Sequence, residues 1–155
     1  KIDNSEKSPG FRFAENEMLG IPVRIEIGPR DVENGKCILA RRDTLEKQEV
    51  VLSDVVDEVI KLLVDIQESM YLRAKIRRDS MIHQASSADE MNRIIEEKSG
   101  FVFAPWCGDE KCEVEIKEKY GITSRCIPLE GDSTEGKCVV CSKDAKHNVY
   151  FGKQY

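Results

Sequence analysis

Four cysteines in two close pairs form the strongest chemical pattern in the sequence. Four residues separate Cys107 from Cys112, two separate Cys138 from Cys141, and 25 residues lie between the pairs. Zinc prefers four soft ligands at the corners of a tetrahedron, and two short pairs on distant loops supply such a set. The spacing therefore predicts a structural zinc site. If all four ligands are cysteines, no coordination position stays open for catalysis.

Other interpretations of these cysteines remain open at this point. The thiols could form disulfides or stay free, although six cysteines without a secretory signal argue against a disulfide framework. His147 could replace one cysteine as a ligand, but a surface histidine is the simpler interpretation. Ser142 follows Cys141 where such turns usually have glycine. This change would weaken the turn without removing a ligand.

A redox site is a third interpretation. Residues 103–108, FAPWCG, resemble the approach to a thioredoxin active site. In such a site the second cysteine follows after two residues, so that a helix N-terminus holds both sulfurs and lowers a thiol pKa. Cys107 and Cys112 are too far apart in sequence for this arrangement, and Cys126-Ile127-Pro128 is not a second redox pair. Redox chemistry is therefore disfavoured.

A second group of chemically active side chains surrounds a short alternating strand at residues 22–27. Its members are an aromatic residue, two acids and three bases: Phe13, Glu17, Arg24, Arg30, Asp31 and Lys47. Guanine offers acceptors to Arg or Lys and donors to Asp or Glu, and an aromatic ring can stack on an unpaired base. The alternative is that these charges are only solvated. The basic residues at 73–78 could likewise contact phosphates or form a solvated helix face.

Helices and strands alternate along the chain in a way that predicts α/β layers. An Asn-Gly hairpin signal stands at Asn34-Gly35. One long helix, or two nearly collinear helices, are expected from Ser53, a suitable N-cap, to about His83. Ser87 is expected to cap the next helix. The remaining strands are expected at residues 37–40, 49–52, 101–104, 125–129 and 148–151, with a helix at 109–119.

Composition limits the possible functions. The 155 residues are 40% hydrophobic and 34% charged, with a net charge of −5, which fits one ordinary soluble domain or two small ones. Because the chain is not basic as a whole, a polyanion would have to bind a local patch. No apolar run approaches the roughly 20 residues that span a bilayer, and no signal peptide is present, so we expect a cytoplasmic protein without membrane contacts. Because Lys1 stands in the middle of a pattern, we expect a fragment.

Longer stretches of the sequence resemble a known family. GFRFAENEMLGIPVRIEIGPRD, followed by ARRDT, resembles the anticodon-binding domain of prolyl-tRNA synthetases of the archaeal/eukaryotic-like type. CGDEKCEVEIKEKYG, SRCIP, GKCVVC and the terminal VYFGKQY resemble the zinc-binding C-terminal domain of the same enzymes. The resemblance covers nearly the whole chain, and its motifs are specific in combination.

This resemblance implies a domain plan and a set of site residues. Residues 1–85 would form an anticodon-binding domain with a mixed sheet flanked by helices, lacking its first strand and helix, and residues 86–155 a small α/β zinc-binding domain. The family reads the two guanines of a UGG anticodon, and the matching positions are Phe13, Glu17, Arg24, Arg30, Asp31 and Lys47. Asn16 replaces an aromatic residue common in the family. The four paired cysteines match its zinc ligands, whereas Cys126 matches a cysteine that is not a ligand.

The resemblance also implies a function. The class II catalytic motifs are absent, so the chain itself is not catalytic and would be the tRNA-reading part of a proline–tRNA ligase. The parent enzyme would use ATP and Mg²⁺, would contain a separate catalytic domain, which the carboxylate of Tyr155 would approach, and would form a homodimer. The alternative is a stand-alone zinc-binding interaction module.

Overall fold

A computed structural model describes residues 1–129, 134 and 136–153 of the chain. Its backbone forms two compact units, Lys1–Ala74 and Lys75–Tyr155. Both contain sheets and helices, so the predicted α/β class is confirmed. The predicted domain boundary at residues 85 and 86 stays a prediction, although the short strand just before it pairs within the second unit.

The first unit is built around a three-stranded antiparallel sheet in the order β1-β2-β3. Its elements are α1 (Pro9–Met18), β1 (Val23–Glu26), α2 (Pro29–Glu33), β2 (Lys36–Arg41), β3 (Lys47–Val51) and the beginning of the long helix α3 (Val55–Ser80). The predicted strands and long helix are therefore present, with ends shifted by a few residues.

The two faces of this sheet have different partners. On one face Leu39 and Val50 pack against Leu62 and Ile66 of α3, and burying each such side chain stabilises the unit by roughly 1.5–3 kcal/mol. The other face carries polar side chains in adjacent rows, because Arg24, Ala40 and Lys47 are in register, as are Glu26, Ile38 and Glu49. The hydrophobic face holds the sheet to α3, and this leaves the polar face for a site.

The Asn-Gly signal marks a helix end and not a hairpin, so this prediction is wrong. Asn34 and Gly35 end α2, where their N–H groups donate to the carbonyls of Arg30 and Val32, and Gly35 has a φ of 66°. A residue in the left-handed conformation ends a helix as readily as it forms a tight turn. Proline is favoured at the first position of a helix, so Pro29 favours a helix in the segment that precedes Asn34. The β2–β3 hairpin instead turns through residues 42–46.

The second unit has a four-stranded sheet in the order β4-β5-β7-β6. The elements after α3 are β4 (Ile82–Gln84), α4 (Ala88–Glu97), β5 (Phe101–Trp106), α5 (Glu110–Tyr120), β6 (Ile122–Cys126) and β7 (His147–Lys153). β4 and β5 are parallel and the other pairs are antiparallel. The predicted mixture of parallel and antiparallel pairs is therefore found in this sheet, whereas the sheet of the first unit is antiparallel. Met91 of α4 and Ile116 of α5 bury one face against Val102 and Phe151.

Local signals set the ends of these helices. The Ser87 hydroxyl accepts a hydrogen bond from the Glu90 N–H, as predicted for the cap of α4. Gly121, at a φ of 69°, ends α5, and β6 follows at once. The strand predicted at residues 125–129 therefore begins earlier, at Ile122. Within the part of the chain that the structure describes, no helix combines the length and apolar character needed to cross a membrane.

Candidate nucleic-acid interface and metal centre

The structure brings the four paired cysteines together. The sulfur atoms of Cys107, Cys112, Cys138 and Cys141 all lie within 4.8 Å of one another. Cys107 Sγ is 3.6 Å from Cys112 Sγ and 3.7 Å from Cys141 Sγ. A disulfide would need about 2.05 Å, whereas tetrahedral zinc with bonds of about 2.3 Å places its sulfurs about 3.8 Å apart. The group therefore has the spacing of a four-thiolate metal site.

Two chain segments supply these cysteines, and backbone hydrogen bonds fix the second segment, which is a loop. Cys107 follows β5 and Cys112 lies in the first turn of α5. In the second loop the Cys138 N–H donates to the Lys143 carbonyl at 2.8 Å, and the Ser142 N–H donates to the Cys138 carbonyl at 2.9 Å. The turn around Cys138 and Cys141 is therefore ordered by its own backbone, as a preformed metal loop requires.

The thiols differ in acidity. Burial raises the pKa of Cys107 and of Cys112, so both favour the protonated form without a cation nearby. The pKa of Cys141 is lowered to about 7, chiefly because the backbone N–H of Lys143 donates to its sulfur. A divalent cation would offset the cost of charging the buried thiols and would release their protons on binding.

The remaining sequence predictions for this region can now be placed. The sulfur group is complete without a histidine, so His147 is not needed as a ligand. Cys126 is an exposed thiol outside the group. Cys107 has close sulfur neighbours from both pairs, which a two-cysteine redox site does not require. Ser142 has a φ of 60°. Tyr155 lies outside the residues that the structure describes.

A second cluster forms on the polar face of the first sheet, and we call it the polar cluster: Phe13, Glu17, Arg24, Glu26 and Lys47. The guanidinium carbon of Arg24 lies 4.0 Å from the ring centroid of Phe13, in a cation–π contact. Arg24 Nη1 donates to Glu17 Oε1 at 2.7 Å, and Arg24 Nε donates to Glu26 Oε1 at 3.0 Å. Helix α1 and strand β1 thus fix this arginine from two directions.

Lys47 completes the polar cluster from strand β3. Its Nζ lies 2.8 Å from Glu26 Oε2 and 5.6 Å from the Phe13 ring centroid. Burial disfavours the charged forms of Arg24 and Glu26, but the hydrogen bonds that these groups make favour the charged forms more strongly. The pKa of Arg24 is therefore raised and the pKa of Glu26 is lowered. Both groups therefore stay charged near neutral pH. The sequence-predicted site omits Glu26, although the strand alternation already places it beside Arg24.

Arg30 and Asp31 make contacts that are separate from those of the polar cluster. Asp31 Oδ2 accepts the Gly28 N–H at 2.7 Å and so caps the short helix α2. Arg30 is exposed in the same helix. Within the described chain, neither has a hydrogen bond or ion pair with the polar cluster. The structure thus joins four of the six predicted contact residues and leaves two in a separate position.

Two further polar features have local partners. Asn16 Nδ2 donates to Asp3 Oδ2 at 3.2 Å and to the Arg12 carbonyl at 2.8 Å, so this side chain holds the start of the chain against α1. In the basic stretch of α3, Arg73 Nη2 lies 3.3 Å from Asp43 Oδ2, and Arg78 pairs with Asp79. These ion pairs favour the interpretation of that stretch as an ordinary charged helix face.

Comparison with known proteins gives a family match for the region of each site. Residues 1–62 match the family model "Anticodon binding domain", and residues 88–155 match "Prolyl-tRNA synthetase, C-terminal". The polar cluster lies within the first match and the four cysteines within the second. The two models therefore cover both candidate sites.

Whole-chain relatives agree with these models. The chain is 45% identical over all 155 residues to proline–tRNA ligase of Clostridium novyi (strain NT), where it covers 32% of that protein. It is 43% identical over 155 residues to proline–tRNA ligase 2 of Bacillus thuringiensis subsp. konkukian (strain 97-27), covering 33%. It is 47% identical over 155 residues to proline–tRNA ligase of Lachnoclostridium phytofermentans, covering 32%. The chain spans about a third of the length of these curated relatives. The chain therefore combines a match to an anticodon binding domain with a match to the C-terminal domain of prolyl-tRNA synthetases.

Proposed function

We propose that this chain is the tRNA-binding part of a proline–tRNA ligase and that it reads the UGG anticodon of proline tRNA. The polar cluster is the observation that carries this proposal, because it lies in the region that matches the anticodon binding domain. Its fixed guanidinium, two acids and aromatic ring are the groups that guanine recognition and base stacking use. The net charge of −5 fits a local RNA site better than general attraction to polyanions.

The arrangement of Arg24 suits a specific contact to a base. Its Nε and one Nη1 hydrogen are already bound within the protein, and Phe13 covers one face of the guanidinium. Among the residues that the structure describes, the hydrogens of Nη2 and the second hydrogen of Nη1 have no partner, so they are available for the acceptors on guanine. Arg30 and Asp31, a base and an acid on α2, would form the second contact group. Two groups suit two guanines.

We also propose that the four cysteines bind zinc, which would have a structural role. Four thiolates and no open ligand position favour zinc over harder cations such as Mg²⁺. The site would hold the loop after β5 against the loop at residues 138–141. ATP and Mg²⁺ use, a separate catalytic domain and a homodimer are proposed for the parent enzyme by its family and not for these residues.

Arginine substitutions test the anticodon proposal. We expect Arg24→Ala to weaken binding of an RNA hairpin with a UGG loop by about tenfold or more, because a bidentate base contact contributes about 1–3 kcal/mol. Arg77→Ala is the matched control, since it removes the same charge from an exposed position on α3. Binding is measured by fluorescence anisotropy at moderate salt.

Each outcome has a clear meaning. A much larger loss for Arg24→Ala than for Arg77→Ala supports a specific contact at the polar cluster. Equal small losses would mean that the RNA meets only general positive charge. Zinc binding without any RNA binding would favour the stand-alone zinc module instead.

A further inference from the structure

We propose that Glu26 is a positioning residue that sets the orientation of Arg24 and Lys47 for guanine recognition. This inference rests on the proposed function and assigns a role to a side chain outside the six predicted contact residues. The two carboxylate oxygens of Glu26 have different partners. Oε1 accepts a hydrogen bond from Arg24 Nε at 3.0 Å, and Oε2 accepts one from Lys47 Nζ at 2.8 Å. One acid therefore links the outer strands of the sheet.

The sheet register explains why Glu26 reaches both cations. Arg24, Ala40 and Lys47 form one row across the three strands, and Glu26 stands in the next row. Because the central residue of the first row is only an alanine, the space between the cations stays open to the Glu26 side chain. The side chains of Glu26 and Arg24 are each only 19% exposed, so their ion pair is less screened than a surface pair.

A carboxylate at an RNA-binding surface is electrostatically unfavourable unless it has a specific role. A carboxylate that does nothing but face RNA repels phosphates, and its removal should tighten binding to any RNA. Glu26 instead holds the Arg24 Nε–H, and Glu17 holds one Nη1 hydrogen, so the remaining guanidinium hydrogens are the ones left for a base. It also keeps Lys47 near the Phe13 ring. The positioning role therefore predicts an effect of opposite sign for the UGG loop.

The test compares Glu26→Gln with Glu49→Gln. Glu49 lies in the same row of the sheet as Glu26, and its substitution removes the same charge. Its partner is Lys36, at 2.5 Å, which lies outside the polar cluster. Each variant is titrated with a UGG hairpin and with a hairpin whose two guanines are changed to cytosine. We expect Glu26→Gln to lower the UGG preference about tenfold by weakening UGG binding, and Glu49→Gln to leave the preference unchanged.

A double variant separates positioning from a direct contact. If Glu26 acts through Arg24, the effect of Glu26→Gln on the UGG preference should largely disappear in the Arg24→Ala background. Circular dichroism of each variant checks that the fold is retained. Glu26→Asp keeps the charge and should recover part of the preference that Glu26→Gln loses.

Two failures are distinguishable. If the wild-type chain prefers UGG and Glu26→Gln tightens both RNAs as Glu49→Gln does, Glu26 is only a repelling charge and this inference is wrong while the proposed function stands. A wild-type chain without any UGG preference would overturn the proposed function, and the positioning role with it.

Discussion

At the residue scale, the loop at residues 138–143 contains a non-glycine residue in the left-handed conformation, Ser142. Its φ is 60°, immediately after Cys141, the last of the four grouped cysteines. A side chain in this region costs roughly 1–2 kcal/mol, because its Cβ approaches the following carbonyl oxygen. Glycine avoids that clash and is the usual residue there. The loop is therefore formed at a local cost.

We expect Ser142→Gly to raise the free energy of unfolding by about 1 kcal/mol, somewhat less than the full strain because glycine loses more entropy on folding. Urea unfolding followed by the fluorescence of Trp106, the single tryptophan, measures this change. Ser142→Ala is the control, since it removes the hydroxyl but keeps the strain. Equal effects of glycine and alanine would show that the backbone conformation is not the cause.

Asp43 gives a prediction about pH. Its carboxylate accepts hydrogen bonds from Arg41 Nε at 2.7 Å and Arg41 Nη2 at 2.8 Å, and Arg73 lies 3.3 Å away. The Asp43 side chain is only 5% exposed. The hydrogen bonds from Arg41, followed by that from Arg73, outweigh burial and lower its pKa from 3.8 to about 2. The folded chain therefore holds this carboxylate charged at a pH where the unfolded chain protonates it.

The sign of the effect follows from linkage. A pKa lowered by folding stabilises the protein fully above the unfolded value of 3.8, and this contribution is lost as pH falls towards about 2. We expect the free energy of unfolding to fall more steeply over this range in the wild type than in Asp43→Asn, measured by urea unfolding. Release of the proposed zinc ion at low pH would affect both proteins alike. Parallel curves would contradict the assignment.

At the element scale, the sequence predicts which segments are regular better than how they connect. The long helix α3 is visible because Val55, Val59 and Leu63 recur at helical spacing. The turn at Asn34-Gly35 is ambiguous, because a left-handed residue ends a helix or closes a hairpin equally well. The helical conformation of Pro29–Glu33 decides between the two, because these residues then form no strand that the turn could join to β2. The actual hairpin places Leu45 at a φ of 63°, which its residue type does not signal.

The metal loops are the other element-scale feature, and a ligand substitution tests them. We expect the chain to bind one zinc ion and Cys112→Ser to lose most of its zinc affinity, because a structural site needs all four ligands. Cys126→Ser is the control, as this exposed thiol lies outside the sulfur group. Metal content after dialysis measures the difference.

Metal removal should also destabilise the fold around the site. Trp106 packs against the buried cysteines, so a chelator should change its fluorescence. We expect a fall in Tm of at least about 10 °C, since each kcal/mol of lost stability lowers the Tm by about 4–8 °C in a unit of this size. Equal zinc content in Cys112→Ser and Cys126→Ser, or no thermal effect of the chelator, would contradict a structural zinc site.

At the scale of the whole molecule, sequence reasoning identifies residues by type but not their partners. The grouping of the four cysteines is predicted in full, because residues that can hold a metal have a characteristic spacing. The polar cluster is predicted in part. Glu26 is missed because its importance arises from the strand register that places it beside Lys47. Arg30 and Asp31 match by resemblance, yet the hydrogen bond of Asp31 to the Gly28 N–H is visible only in the folded chain.

Anticodon reading is the central claim, and direct RNA binding tests it first. The chain is titrated at moderate salt with a proline-tRNA hairpin carrying UGG and with the same hairpin carrying cytosine at both guanine positions. We predict at least about a tenfold preference for UGG, because bidentate contacts discriminate between bases by about 1–3 kcal/mol each. Equal affinities for the two hairpins, falling together as salt rises, would show phosphate attraction alone and would contradict the proposed function.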